Sequence, residues 1–222
     1  MARATSVTWK IATSLDGRIA LEDGTSQWIT GTESRARVHQ MRAEHDGVIV
    51  GIGTVLADDP LLTARTVPLP KLQPARIVVD SRGRTPLDGR LMQSTSLGRV
   101  IIATDVERSG DLLAAGADMW PCGISDKGGI DLEYFVKRCA VEGIERLFLE
   151  GGGKLAASFI ALGLVDRIEW FRAPLLIGGD GVPALGALGL GDMNHAPRWR
   201  MVATERIGDD TLETYEISGR PR

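Results

Sequence analysis

The chain has 222 residues, 43% of them hydrophobic and 25% charged, which suffices for the buried core of a globular protein. Its formal net charge of −3 provides no overall basic field, so nucleic acid is not an expected partner, although a local basic patch can still take a small anion. Cys122 and Cys139 make neither a CxxC pair nor a disulfide framework. No metal site is expected either, because His39, His45 and His195 never fall at ligand spacing from them.

Met1–Thr5 leads into a strand-like segment rather than an apolar signal core, and no apolar run reaches bilayer-crossing length. A reduced, cytoplasmic protein without a membrane partner is the expectation. Thr8–Ala12 reads as a strand interrupted by Lys10. Turns at Leu15-Asp16-Gly17 and Glu22-Asp23-Gly24 flank a short strand over Arg18–Leu21. Thr30 and Glu33 have capping-box spacing, which predicts a helix from there to about Glu44 with Val38 and Met41 on its apolar stripe. Gly47–Gly51 is a buried strand, followed by a brief helical turn that Asp58-Asp59-Pro60 stops.

Arg76–Asp80 and Arg99–Thr104 are β-branched strands. Asp111–Gly116 and Asp131–Glu142 read as helices separated by the glycine-rich Cys122–Gly129 loop. Arg146–Leu149 is a strand, Gly151–Gly153 a tight loop and Lys154–Leu162 a helix. Arg167–Arg172 is a further strand. Trp199–Ile207 and Thr211–Ile217 form a closing hairpin around Gly208-Asp209-Asp210. Strands alternate with helices until this hairpin, which predicts one α/β domain with a mostly parallel sheet and an antiparallel C-terminal edge.

Four constellations carry chemistry. Leu149-Glu150-Gly151-Gly152-Gly153-Lys154 runs from a strand through three glycines into a helix. Such glycines let backbone amides approach a phosphate, and the helix N-terminus favours an anion. A P-loop would require glycine at the position of Phe148 and Ser or Thr at that of Leu155. The GxGxxG pattern would require glycine at that of Ala156. A plain tight turn stays open as the alternative, and Glu150 at the strand's C-terminal end favours a ligand mouth.

Gly51-Ile52-Gly53-Thr54 repeats the strand–glycine–helix arrangement, and two such loops suit a dinucleotide better than a lone phosphate. Asp58-Asp59-Pro60 reads either as a solvated helix stop or as an acid pair. Arg42 and Arg65 are solvated arginines or a fork for phosphate or carboxylate. Lys10, between Trp9 and Ile11, snorkels to an edge or points into a site. Trp28 packs or flanks a flat ring. The three histidines read as surface or packing residues.

Taken in order, several runs resemble the reductase domain of the bifunctional riboflavin-biosynthesis deaminase–reductase. They are Lys10–Ala20, Ser26–Thr30, Gly51–Arg65, Val79-Asp80-Ser81, Leu149–Phe159 and Gly163-Leu164-Val165-Asp166. The resemblance implies a dihydrofolate-reductase-like fold, usually a homodimer, in which NADPH reduces the ribose of a phosphoribosylamino-pyrimidine to a ribityl chain. It implies that Ala12, Trp28, Thr54, Asp58, Ser81 and the run Gly152, Gly153, Lys154, Leu155, Ala156, Ala157, Ser158 contact the cofactor. Ser26, Arg42, Leu62, Arg65 and Glu150 contact the substrate, with the arginines near its phosphate. Lys10 and Glu150, with Asp58 behind them, are the residues expected to position substrate and manage protons. Arg82 and Arg84 are candidates for reading the adenosine phosphate.

The fused family's zinc-deaminase signature does not occur in this sequence. The reading is therefore a single reductase domain over residues 1–222, whose substrate is the 5-amino-6-(5-phosphoribosylamino)uracil or its undeaminated 2,5-diamino-pyrimidinone. Two rivals stay open on the same fold: another NADPH reductase of the dihydrofolate type, and a nucleotide sensor without turnover. Family likeness and the apolar strand Ile168–Phe171 together make dimerisation an expectation.

Overall fold

The computed structural model describes residues 5–105, 110–126 and 128–218; the leader reading of Met1–Ala4 and residue 127 of the glycine-rich loop lie outside them. The chain divides into two compact units. The first holds Val7–Val38 and the residues from Gly153 onward, and the second holds residues 5–6 and His39–Gly152.

In the second unit, five strands lie in the order β7-β3-β4-β5-β6, every neighbouring pair parallel. These are β3 (Gly47–Gly51), β4 (Ala75–Val79), β5 (Val100–Thr104), β6 (Asp118–Pro121) and β7 (Arg146–Glu150). Four of the five residues of β3 and all five of β5 are buried. Their unbroken Val/Ile runs are what a strand covered on both faces requires. The helices α2 (Ile52–Asp58), α3 (Gly110–Ala114) and α4 (Leu132–Val141) connect them. Asp131 caps α4, its carboxylate accepting from the Tyr134 amide.

β6 is an element that the sequence does not announce. It has four residues, only Trp120 among them buried, and it ends on Pro121. Proline and partial exposure belong to an edge strand, and β6 is the edge of this unit's parallel set.

In the first unit the order is β10-β11-β8-β1. β1 (Ser6–Thr13) and β8 (Arg167–Arg172) run parallel; β11 (Asp210–Ile217) runs antiparallel to both β8 and β10 (Trp199–Ile207). The predicted hairpin and its antiparallel edge are therefore present. A two-stranded ribbon, β2 (Arg18–Ala20) with β9 (Val182–Pro183), lies apart from these, and α5 (Gly153–Ala161) completes the unit. Ile168 and Phe171 are 5% and 0% exposed, and β8 is paired on both sides by β1 and β11. That strand has no free edge.

Helix α1 (Thr32–Glu44) opens one residue later than the Thr30–Glu33 spacing predicts. The Arg35 amide bonds to the Gly31 carbonyl, which makes Gly31 the N-cap. Glycine has no side chain to cap with, and a distant carboxylate takes that role. Asp210 Oδ2 accepts from the Gly31 amide at 2.7 Å and from the Ser34 hydroxyl at 2.6 Å. An anion is favourable at this end of a helix. The predictor of the cap was therefore tertiary, not local.

Candidate active site

The C-terminal ends of parallel strands in the second unit gather most of the charged candidates. β7 delivers Glu150, which is 7% exposed. Arg42, late in α1, meets it as a two-pronged fork: Nε to Oε1 at 2.5 Å and Nη2 to Oε2 at 2.9 Å. Arg42 Nη1 donates to the Thr63 carbonyl at 3.0 Å. Burial alone would lower the Arg42 guanidinium, but the charge and hydrogen bonds of Glu150 outweigh it, and the net direction is upward. The pair that the sequence flagged as two separate substrate contacts is thus a buried ion pair.

Arg65 is exposed and differently placed. Burial lowers its guanidinium, and the positive charges of Arg42 and Arg90 lower it further, with Glu150 opposing them. Arg65 thus feels two like charges against one carboxylate, an arrangement that an added anion would relieve. Leu62, 2% exposed, stands at φ 57°, and Leu61 offers its carbonyl to Arg76 at 3.4 Å. A bulky non-glycine residue in the left-handed region is costly and recurs at ligand sites.

His39 is the residue that sequence reasoning passed over. It lies one turn before Arg42 on α1, and its Nδ1 accepts the Arg65 amide at 3.3 Å. Burial, then Arg42 and Arg65, push its pKa down to about 4. The i, i+3 relation to Arg42 was the available signal.

Asp58 and Asp59 stand in different surroundings. Partial burial of its carboxyl raises Asp58 above the ordinary carboxylate value. Asp59 instead ends α2 in the left-handed region, its own amide bonding Val55 and its Oδ1 accepting the Arg90 amide at 2.7 Å. Past β4, the fully buried Asp80 organises the Ser81 turn. It accepts the Thr85 amide and hydroxyl at 2.8 and 3.0 Å and draws Arg84 Nε to 3.4 Å, while Arg82 is exposed. The two glycine loops also meet in this unit. Gly151, at φ 70°, lies so close to Thr54 that a Cβ there would fall 3.0 Å from its hydroxyl.

Residues 5–212 match the model of the RibD C-terminal domain. The chain belongs to the RibD C-terminal domain family.

Among relatives of this RibD-type chain, the riboflavin biosynthesis protein RibD of Actinobacillus pleuropneumoniae is 38% identical over 215 residues, 95% of this chain and 56% of that protein. The 2,5-diamino-6-ribosylamino-4(3H)-pyrimidinone 5′-phosphate reductase of Methanothermobacter thermautotrophicus is 37% identical over 213 residues, 94% of this chain and 96% of that protein. The structure of Acinetobacter baumannii RibD superposes with a TM-score of 0.85 at 26% identity, covering 96% of this chain and 58% of that one. The chain thus spans about half the length of the RibD relatives that it matches. The architecture is the dihydrofolate-reductase-like one expected from sequence.

The first unit of this RibD-type chain holds the remaining candidates. Lys10 and Ala12 are half-buried on one face of β1, whose alternate residues Trp9, Ile11 and Thr13 are buried. The Lys10 ammonium lies 5.8 Å from the Phe171 ring centroid. Ser26 is half-buried, whereas Trp28 is 67% exposed with the Arg35 guanidinium 4.4 Å from its ring centroid. An indole left this open is not core packing.

In α5, Ala156 and Ala157 are buried, Leu155 is half-buried, and Lys154 and Ser158 are exposed. Gly153 has a packing reason of its own, because a Cβ there would lie 2.9 Å from the Ala184 carbonyl. Gly152 stands at φ 77°. Of the three glycines, the neighbours of the outer two account for them, and a phosphate is not needed to explain either. Among the described residues, no helix is long and apolar enough to cross a membrane.

Proposed function

We propose that this chain is an NADPH-dependent reductase of a phosphoribosylamino-pyrimidine in riboflavin biosynthesis, acting as a single reductase domain in the cytoplasm, as a homodimer. One observation carries the reading. The Methanothermobacter reductase is matched over 96% of its own length, and this chain holds the Arg42–Glu150 pair with Arg65 beside it.

The residues present fit a reduced nicotinamide dinucleotide. Trp28 offers an exposed flat ring, and Gly152 a left-handed backbone ahead of the N-terminal turn of α5. Ala12, Trp28, Thr54, Asp58, Ser81 and residues 152–158 are the groups that the family resemblance proposes for it. Arg82 is the better candidate for the adenosine phosphate, since Arg84 is engaged with Asp80. Bound there, the cofactor would supply a hydride to the anomeric carbon of the ring-opened imine, the ring oxygen having left that carbon as a protonated hydroxyl.

The chain's own groups bind and orient the substrate. Arg65 takes the phosphate: Arg42 has three of its N–H groups on Glu150 and Thr63, whereas Arg65 is exposed in a field with an excess of positive charge. Glu150, held in a two-pronged ion pair by Arg42, accepts hydrogen bonds from the substrate. Ser26 and Leu62 complete the substrate contacts. Lys10 is the group assigned to hold or pass a proton at the sugar.

The deaminated uracil is the first substrate to test. The undeaminated pyrimidinone is the second reading, because the relative matched over nearly its whole length is named for that substrate. The assay is NADPH oxidation followed by absorbance, with the phosphoribosylamino-uracil, its 2,5-diamino analogue and dihydrofolate offered in parallel. Turnover of either phosphoribosyl compound and not dihydrofolate is expected. Turnover of dihydrofolate alone overturns the reading, and tight NADPH binding without any turnover replaces it with a sensor.

A further inference from the structure

We propose that His39 and Gln73 are positioning residues for Arg65, forming a clamp on the Thr63–Arg65 backbone that fixes where its guanidinium is presented to the substrate. This inference rests on the assignment of Arg65 to the substrate phosphate.

Consecutive backbone groups in this segment are taken by side chains. The Thr63 carbonyl accepts from Arg42 Nη1. The Ala64 amide donates to Gln73 Oε1 at 2.8 Å, and the Ala64 carbonyl accepts from Gln73 Nε2 at 2.9 Å. Gln73 thus pairs with Ala64 as a neighbouring strand would, through one side-chain amide. The Arg65 amide then donates to His39 Nδ1 at 3.3 Å. Thr63 and Ala64 are buried at 5% and 0% exposure, while Val67, Leu69 and Leu72 just beyond are fully or mostly exposed. The clamp sits where the chain leaves the core for a surface loop.

Electrostatics explains why a clamp is required. Arg42 and Arg90 both disfavour the charge on Arg65, so like charges oppose bringing its guanidinium into the cluster. Holding its backbone prepays part of the cost of assembling an anion site. The chemistry of His39 suits this task. Accepting at Nδ1 requires the neutral ring with its hydrogen on Nε2, and a group titrating at about 4 is neutral throughout the physiological range. A histidinium could not accept the bond, and would add one more positive charge to the cluster.

The test uses the full chain with saturating NADPH, and reads KM and kcat for the phosphoribosylamino-pyrimidine. Arg65→Ala is expected to raise KM by roughly ten- to a hundredfold, the loss of a charge-assisted contact. His39→Ala and Gln73→Ala are each expected to raise it roughly five- to tenfold, with kcat moved much less, as befits an interaction distant from the reacting atom. His39→Asn, whose side-chain oxygen replaces the Nδ1 acceptor, should recover most of the loss. In an Arg65→Ala background, His39→Ala should add nothing further.

A raised KM in Arg65→Ala beside wild-type KM in His39→Ala and Gln73→Ala overturns the clamp alone. A His39→Ala effect that persists in full without Arg65 also overturns it, since the histidine then acts by itself. A wild-type KM in Arg65→Ala overturns the phosphate assignment and the clamp with it. Should His39→Ala fail to fold, Gln73→Glu carries the same test, because it keeps the acceptor for the Ala64 amide and loses the donor for its carbonyl.

Discussion

Removing Arg42 should be costly for folding in a way that removing both partners is not. Its side chain and that of Glu150 are 12% and 10% exposed, and they bond as a fork through both carboxylate oxygens. Arg42→Met keeps most of the length of the side chain but leaves Glu150 buried without its bidentate partner. Breaking such a pair from one side costs about 3–5 kcal/mol. The remaining charge of Arg65 places the expectation at the lower end, about 3 kcal/mol. For a chain of this size each kcal/mol lowers Tm by about 2–4 °C, so Arg42→Met should melt roughly 6–12 °C below wild type. Arg42→Met/Glu150→Met replaces the pair by apolar groups of similar volume and should regain most of that loss, because neither charge is then desolvated. The assay is thermal melting of the four proteins of the cycle, with NADPH oxidation alongside. The double variant should be stable and inactive. Melting of Arg42→Met within about 2 °C of wild type, with strictly additive effects in the double variant, would refute the claim that the two charges hold each other.

Lys10→Ala should lower kcat strongly, with a melting temperature near that of wild type; unchanged kcat under saturating NADPH removes Lys10 from the proton chemistry. Gly153→Ala should destabilise by about 1–3 kcal/mol, because its Cβ would meet the Ala184 carbonyl at 2.9 Å. Gly53→Ala, helical and with nothing within 4 Å of the added methyl, should be neutral or stabilising by about 0.5–1 kcal/mol; the reverse order in a denaturant titration would contradict the packing account. Asp210→Ala removes the distant cap of α1 and should cost about 1–2 kcal/mol, whereas Asp210→Asn, which keeps an acceptor, should cost less. The pKa of His39 drops from 6.5 to about 4 on folding, so between those values the unfolded chain binds the extra proton. Its contribution to stability is then full above about pH 6.5 and is lost as the pH falls toward 4. His39→Asn should therefore show a smaller fall in stability than wild type between about pH 7 and about pH 5, and equal falls would count against a depressed histidine.

The parts of the fold legible in the sequence are those whose signal is local. β3 and β5 are continuous β-branched runs bounded by turns, and the β10–β11 hairpin carries its own turn residues. β6 gives no such signal, because four residues ending in Pro121 take their strand character from pairing with β5. The start of α1 was misread by one residue for a related reason: its capping carboxylate comes from Asp210, 179 positions after Gly31. The site divides along the same line. Arg42, Arg65, Leu62 and Glu150 were named through ordered resemblance, but a linear pattern could not show that Arg42 and Glu150, 108 positions apart, are partners. His39 was set aside because its significance comes from the Arg65 amide, 26 positions away, which folding brings against α1.

This pairing changes what the two arginines can do. Read as a sequence, they are equivalent forks for one phosphate. In the structure they differ in what each still has to offer. Arg42 is bound to Glu150 and Thr63, so its charge is largely neutralised and its geometry is set by partners within the protein. Arg65 is exposed, its backbone is held by His39, and the nearest positive charges oppose its own. A dianion arriving there gains a charge-assisted contact and relieves a repulsion already present, whereas one arriving at Arg42 would have to displace a buried carboxylate from a two-pronged bond. On this asymmetry rests the proposal that Arg65 takes the phosphate. Arg42 keeps the separate task of holding Glu150 correctly turned. A carboxylate so held has both oxygens engaged by Arg42 and is proposed as an acceptor for substrate hydrogen bonds, while Lys10 is the group proposed for the proton at the sugar.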